Sequence, residues 1–135
     1  MANIEDVEGI GPVNAEKLAA IGITTTERLL EQGATPSGRA ALETASGVSH
    51  TNILEWVNHV DLMRIKGVGS EYSDLLSAAG VDSPAELAQR NAANLAATVQ
   101  EVVAARPGTV RRMPSETELQ DWIDQARALP KVVEH

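Results

Sequence analysis

The apolar residues of this chain recur at the spacing of an α-helix. Two stretches show the spacing i, i+3, i+4, i+7 most clearly, and their apolar residues are Ile53, Trp56, Val57 and Val60 in one and Leu119, Trp122, Ile123 and Ala126 in the other. Side chains at this spacing share one face of a helix, which can then pack against a core. We therefore expect both tryptophans to anchor cores, and a role for them as stacking platforms for bases is disfavoured.

Helix-start signals divide the chain into segments. Three pairs have the spacing of a capping box: Thr24 with Glu27, Ser83 with Glu86, and Ser115 with Glu118. Together with the apolar spacing, these signals predict helices over 13–21, 26–32, 36–46, 50–62, 70–79, 84–90, 92–104 and 115–128, and a short one at 3–8.

Composition agrees with an all-α fold. The chain has 135 residues, of which 43% are hydrophobic but only 2% aromatic, with no Phe, so aliphatic residues that suit helix bundles must form the core. There is no Cys, which excludes disulfides, thiolate metal sites and a cysteine nucleophile.

The first two thirds of the chain contain a duplication. The segment VEGIGPVNAEKLAAIGITTTERL from Val7 resembles IKGVGSEYSDLLSAAGVDSPAEL from Ile65. A second, looser alignment places Trp56 opposite Trp122. We predict one repeat over 1–60, a second over 61–129 and a C-terminal tail over 130–135, all within one compact unit.

Each repeat opens with a Gly-apolar-Gly turn followed by an amphipathic helix. The turns are Gly9-Ile10-Gly11 and Gly67-Val68-Gly69. Two glycines let the backbone turn tightly and expose amides at a helix start, where a phosphate can bind. Neither turn has the third glycine of a dinucleotide-binding fingerprint or the Gly-Lys-Ser/Thr of a P-loop, so nucleotide binding of these kinds is disfavoured.

These hairpins resemble the helix-hairpin-helix family, whose pattern is apolar–x–Gly–apolar–Gly–x–x–x–Ala–x–x–Leu. EGIGPVNAEKL carries the pattern with Ala15 and Leu18, and KGVGSEYSDLL departs from it only at Ser73. Nearly the whole chain is similar to a bacterial family of unknown function within this superfamily, related sequences of which are sometimes labelled flap-endonuclease-like. The resemblance implies an all-α bundle of two tandem helix-hairpin-helix repeats, of the SAM- and polymerase-domain-like class.

The resemblance also implies a function. Helix-hairpin-helix modules commonly bind DNA without sequence specificity through hairpin amides on phosphate. In some members hairpin carbonyls hold a monovalent cation beside the phosphate, which is the one cofactor that the resemblance allows here.

Charge distinguishes the two hairpins. The net charge is −8, yet the stretch from Asp61 to Arg112 is electrically neutral, so the rest of the chain carries the whole excess of acid. A phosphate would be repelled by the acids around the first hairpin, among them Asp6 and Glu8. The second hairpin is therefore the better candidate.

We predict a phosphate-binding site in the second repeat. Its backbone residues are Gly67, Val68, Gly69 and Ser70, and its cations are Arg64, Lys66, Arg111 and Arg112. A weaker site at the first hairpin would comprise Gly9, Gly11 and Lys17. The alternative, left open, is that Arg64 and Arg112 pair with Asp61, Glu71 or Asp121 and only tie the structure together.

Other chemistry is not indicated. The histidines, His50, His59 and His135, lack zinc-binding spacing, and the acids near Asp121 and Asp124 suit a helix start rather than a two-metal centre. We expect no catalytic residue, metal or small-molecule substrate. The apolar strip of the tail, Val132-Val133, could fold back on the body or dock on a partner.

The sequence thus favours a non-enzymatic protein that binds DNA weakly through its second hairpin. The alternative is an acidic scaffold that binds a protein partner, and a nuclease accessory rests on fold analogy alone. No apolar run suits a membrane span and the first residues lack a signal-peptide pattern, so we expect a cytoplasmic protein.

Overall fold

The computed structural model describes residues 3–135, and over that range the chain is all-helical. It contains eight α-helices, one 3-10 turn and no β-strand in the described residues. The elements are the 3-10 turn Ile4–Asp6, α1 (Gly11–Ala19), α2 (Thr26–Gln32), α3 (Pro36–Ser46), α4 (His50–Leu62), α5 (Ser70–Ala78), α6 (Pro84–Ala88), α7 (Ala92–Ala105) and α8 (Glu116–Ala128). The predicted all-α class is confirmed.

All eight predicted α-helices are present: those predicted at 26–32, 36–46 and 50–62 have the predicted bounds, and the other five differ by one or two residues at one end or both. The short helix predicted at 3–8 is a single 3-10 turn, and α1 starts at Gly11, two residues before its predicted start. Ser83 and Ser115 cap α6 and α8 as their spacing predicts, and Ser115 forms a full capping box with Glu118.

The N-cap of α2 lies one residue later than the spacing of Thr24 and Glu27 predicts. Thr25, with extended backbone, accepts the amide of Arg28 and is the N-cap. Thr24 is engaged elsewhere, because its carbonyl accepts the amide of Ile4 at 3.3 Å.

The chain forms two units. Unit 1 comprises the described residues up to Asp61 together with Val132–His135, and unit 2 comprises Leu62–Lys131. Trp56 in unit 1 and Trp122 in unit 2 are each 2% exposed, so both are core residues as the apolar stripes predict.

In unit 2, α8 provides the centre of the core. It packs against α6 and α7, and its residues Leu119, Trp122, Ile123 and Ala126 are buried. The apolar residues of the second hairpin, Ile65 and Val68, belong to the same cluster. This packing fixes the hairpin relative to α8.

Candidate functional site

The second hairpin is a tight turn pinned by two apolar side chains. Ile65 and Val68 are 1% and 4% exposed, and the amide of Val68 donates to the carbonyl of Ile65 at 3.0 Å. Between them the backbone reverses at Gly67, whose φ of +97° is in the left-handed region. Lys66 and Gly67 are therefore held on the surface of the turn.

Helix α5 begins beside this turn without a side-chain cap. Gly69 is its N-cap and has extended backbone, with φ −93° and ψ −166°. Within the described residues, the amides of Gly67 and Gly69 have no hydrogen-bond acceptor, and both residues are exposed. Amides with this exposure can donate to an incoming anion.

A glutamine of α8 fixes the hairpin backbone. Gln125 accepts the amide of Lys66 through Oε1 at 2.9 Å and donates through Nε2 to the carbonyl of Lys66 at 3.0 Å. Its Nε2 also lies 2.9 Å from Oδ2 of Asp121. Gln125 is not predictable from the sequence, because nothing in its spacing indicates contact with a residue 59 positions away.

Arg112 forms an ion pair with a carboxylate, so its charge is not available to a ligand. Its Nη1 and Nη2 donate to Oε1 and Oε2 of Glu118 at 2.6 and 2.7 Å. The hydrogen bond to Arg112 is the main cause that lowers the pKa of Glu118 to about 2, and Glu118 in turn raises the pKa of Arg112. Arg112 therefore pairs with a carboxylate, as the alternative expects, but the partner is Glu118 rather than Asp61, Glu71 or Asp121.

Arg111 has a looser partner. Its Nε lies 3.3 Å from Oε1 of Glu71, while the Arg111 side chain is 91% exposed. Exposed pairs of this kind contribute little, so Glu71 attenuates the charge of Arg111 but leaves the guanidinium accessible. Tyr72 donates to the carbonyl of Arg112 at 2.9 Å and so ties this connection to α5.

Arg64 and Lys66 differ in their surroundings. Arg64 Nη2 donates to the carbonyl of Pro130 at 2.9 Å, at the end of α8. The ammonium group of Lys66, by contrast, has no carboxylate within salt-bridge distance among the residues that the structure describes. Of the four cations in the predicted phosphate-binding site, Arg112 is thus paired with Glu118, whereas Lys66 is exposed beside Gly67.

The first hairpin has fewer backbone amide donors than the second. Gly9 and Gly11 both have positive φ, +90° and +67°, and α1 starts directly at Gly11. Pro12 follows and has no amide hydrogen, whereas Ser70 occupies the matching position in the second hairpin. Lys17 lies in the last turn of α1, away from the glycines at its start, so the structure does not join Lys17 to this hairpin.

The exposed face of α8 is acidic. A cavity of about 420 Å³ is lined by Ala92, Glu116, Thr117, Gln120, Asp121 and Asp124. Over residues 3–135, no three histidine or acidic side chains are close enough together to hold a metal ion. In the same range no helix has both the length and the apolar character that a membrane crossing requires.

The chain is similar to a known protein family over most of its length. A family model described as a domain of unknown function, DUF4332, matches residues 8–129, a range that includes both hairpins and α1 to α8. Comparison with curated proteins and with solved structures found no match.

Proposed function

The chain belongs to the DUF4332 family of domains of unknown function, and we propose that it is a non-enzymatic protein that binds DNA weakly, without sequence specificity, through its second hairpin. In this proposal its hairpins are of the helix-hairpin-helix type and it acts in the cytoplasm of a bacterium. The ligand group is the DNA phosphate, which hairpin amides and nearby cations contact.

One observation carries the proposal. The exposed amides of Gly67 and Gly69 have no acceptor within the described residues, and they stand next to Lys66, a cation without a carboxylate partner there. Backbone amides at a helix start and a neighbouring ammonium group are the usual donors to phosphate oxygens in non-specific DNA binding.

The charges around the site limit its strength. Arg112 is held by Glu118, and the chain as a whole carries −8. Each phosphate that a cation neutralises contributes a slope of about −0.9 to the dependence of log K on log salt. With Lys66 and Arg111 as the accessible cations, we expect a shallow slope of about −2 and affinity only at low salt.

A second function has its own support. The bidentate bond with Glu118 neutralises Arg112, and the exposed face of α8 carries the acids Glu116, Asp121 and Asp124. A scaffold that binds a basic protein partner would use such a surface. The two proposals differ in the charge of the partner, which is positive for the scaffold's protein partner and negative for DNA.

The test is fluorescence anisotropy of labelled duplex, single-stranded and branched DNA at low and near-physiological salt. Lys66→Glu is compared with Lys131→Glu, which makes the same charge change at another exposed lysine of unit 2. We expect Lys66→Glu to abolish binding and Lys131→Glu to weaken it only slightly. Equal losses would show that net charge alone governs binding.

A neutral pair of variants tests the amides. Gly69→Pro removes the amide hydrogen, whereas Gly69→Ala keeps it, and a Cβ at Gly69 meets no atom within 4 Å. We expect the proline variant to bind several-fold more weakly than the alanine variant. Absence of binding by the wild type at low salt would refute the proposal and favour the scaffold.

A further inference from the structure

The last four residues, 132–135, bind to unit 1 through a small set of specific contacts. The amide of Glu134 donates to the carbonyl of Ala34 at 2.7 Å, and the carbonyl of Glu134 accepts Nη2 of Arg39 at 2.7 Å. Val133 is 2% exposed, and Nε2 of His135 lies 3.0 Å from Oδ1 of Asn58. We call the surface formed by Ala34, Arg39 and Asn58 the tail groove.

Arg39 is the central group of the tail groove. It is only 2% exposed, and its Nη1 donates to the carbonyl of Gly33 at 2.8 Å. In the part of the chain that the structure describes, no carboxylate pairs with Arg39 and its Nε has no partner. Burying a guanidinium without a carboxylate partner costs free energy. The carbonyl of Glu134 lowers this cost, because it accepts a hydrogen bond that Nη2 would otherwise lack.

The contacts define what the tail groove recognises. Residue 133 supplies a buried apolar side chain, residue 134 supplies only its main chain, and residue 135 supplies an imidazole. The side chain of Glu134 takes no part, since Glu134 is exposed. The ligand class is therefore an extended peptide with an apolar residue, any residue and then histidine.

We propose that the tail groove also binds the tail of a second copy of this chain, so that two copies associate by exchanging residues 132–135. These contacts come from three consecutive residues, 133–135, and they follow a non-helical connection at 129–131, in which the carbonyl of Pro130 accepts a hydrogen bond from Arg64. The same contacts form whichever copy supplies the tail, which is the condition for exchange of an identical element.

The chain's own tail competes with this association. A tethered segment acts at an effective concentration that is roughly millimolar, so a wild-type chain at micromolar concentration fills its own groove. Binding between copies can be detected by mixing two variants. One has an intact groove and a disabled tail, and the other has a disabled groove and an intact tail.

Two full-length variants provide that pair. Val133→Asp disables the tail and leaves the groove, whereas Arg39→Met removes the groove's donors and leaves the tail. Each alone is expected to sediment as a monomer of 14.3 kDa, and an equimolar mixture at several hundred micromolar is expected to approach twice that mass. The association is expected to strengthen with added salt, because each copy carries −8.

Monomeric mass in the mixture, with both variants folded by circular dichroism, would overturn the proposal. A second measurement keeps the test valid if Arg39→Met does not fold. A labelled peptide with the sequence of residues 130–135 is titrated into the Val133→Asp chain, beside a control peptide with Asp in place of Val133. Saturable binding at least tenfold tighter than the control supports the proposal, whereas no binding, or equal binding of both peptides, refutes it.

Discussion

Gly67 lies directly against the indole ring of Trp122. A Cβ placed on Gly67 would lie 2.9 Å from Nε1 of Trp122, closer than real Cβ atoms approach other groups. In unit 1, a Cβ placed on Gly9 would lie 3.5 Å from Nε1 of Trp56. In each unit the glycine of the hairpin thus lies against a tryptophan of that unit, and the space for a side chain is smaller at Gly67 than at Gly9.

Gly67→Ala is expected to destabilise the protein more than Gly9→Ala. Both positions have positive φ, so either alanine costs roughly 1–2 kcal/mol of unfolding free energy. At Gly67 the indole must also move, which adds about 1–3 kcal/mol of overpacking. Urea denaturation followed by tryptophan fluorescence measures both, with Gly69→Ala as a control that should change little. Equal losses at Gly67 and Gly9 would contradict the importance of the Trp122 contact.

The Glu118 carboxyl predicts a pH dependence at the start of α8. Its hydrogen bonds with Arg112, and to a smaller extent the one with the amide of Ser115, lower its pKa from the ordinary value of 4.5 to about 2. A carboxyl whose pKa is lower in the folded state stabilises the protein above the unfolded-state pKa, and this contribution is lost as the pH falls from about 4.5 towards 2. Glu118→Gln should therefore lower the melting temperature at neutral pH and flatten its decline over that acid range.

Circular dichroism melts between pH 2 and 7 provide the measurement. Glutamine at position 118 can still complete the capping box with Ser115, so the variant removes the charge and keeps the cap. Glu116→Gln, in the same helical turn, is the control, since Glu116 has no ion pair among the described residues. An acid decline that is unchanged in Glu118→Gln would show that the pair with Arg112 contributes nothing to stability.

Local patterns in the sequence were sufficient to predict the helices. The apolar stripes place Trp56 and Trp122 in cores, and the caps at Ser83 and Ser115 need only residues three positions away. The cap of α2 could not be assigned this way, because Thr24 and Thr25 are equally good caps, and the bond from the Ile4 amide to the Thr24 carbonyl joins residues too far apart to be read from a local pattern.

The charges of the candidate site were less predictable, because pairing depends on contacts between distant residues. Whether Arg112 binds Glu118, Glu71 or Asp121 depends on how the 106–115 connection returns to α8. Gln125 reaches Lys66 across 59 residues of sequence. Lys17 is close to the first hairpin in sequence, yet the rise of α1 places it at the other end of the helix.

His59 is a buried polar residue of α4, and its replacement by leucine is expected to stabilise the protein. It is 1% exposed, and neither ring nitrogen has a hydrogen-bond partner in the described part of the chain. An unsatisfied buried polar group costs about 1–3 kcal/mol, and leucine fills a similar volume without it. His59→Ala should instead destabilise, because it leaves a cavity. A leucine variant with a lower urea midpoint than the wild type would indicate that a buried water satisfies the imidazole.

Releasing the paired arginines should strengthen DNA binding if the second hairpin is the phosphate site. Glu118→Gln frees the bidentate Arg112, and Glu71→Gln frees Arg111, which is already 91% exposed. We expect Glu118→Gln to raise affinity at low salt more than Glu71→Gln does. It should also steepen the slope of log K against log salt by up to about 0.9, the value for one further phosphate contact.

Glu116→Gln makes the same change in net charge without freeing an arginine, so anisotropy titrations of the three variants separate a local contact from a general electrostatic effect. Identical gains in all three would place Arg111 and Arg112 away from the DNA and leave Lys66 and the hairpin amides as its only contacts.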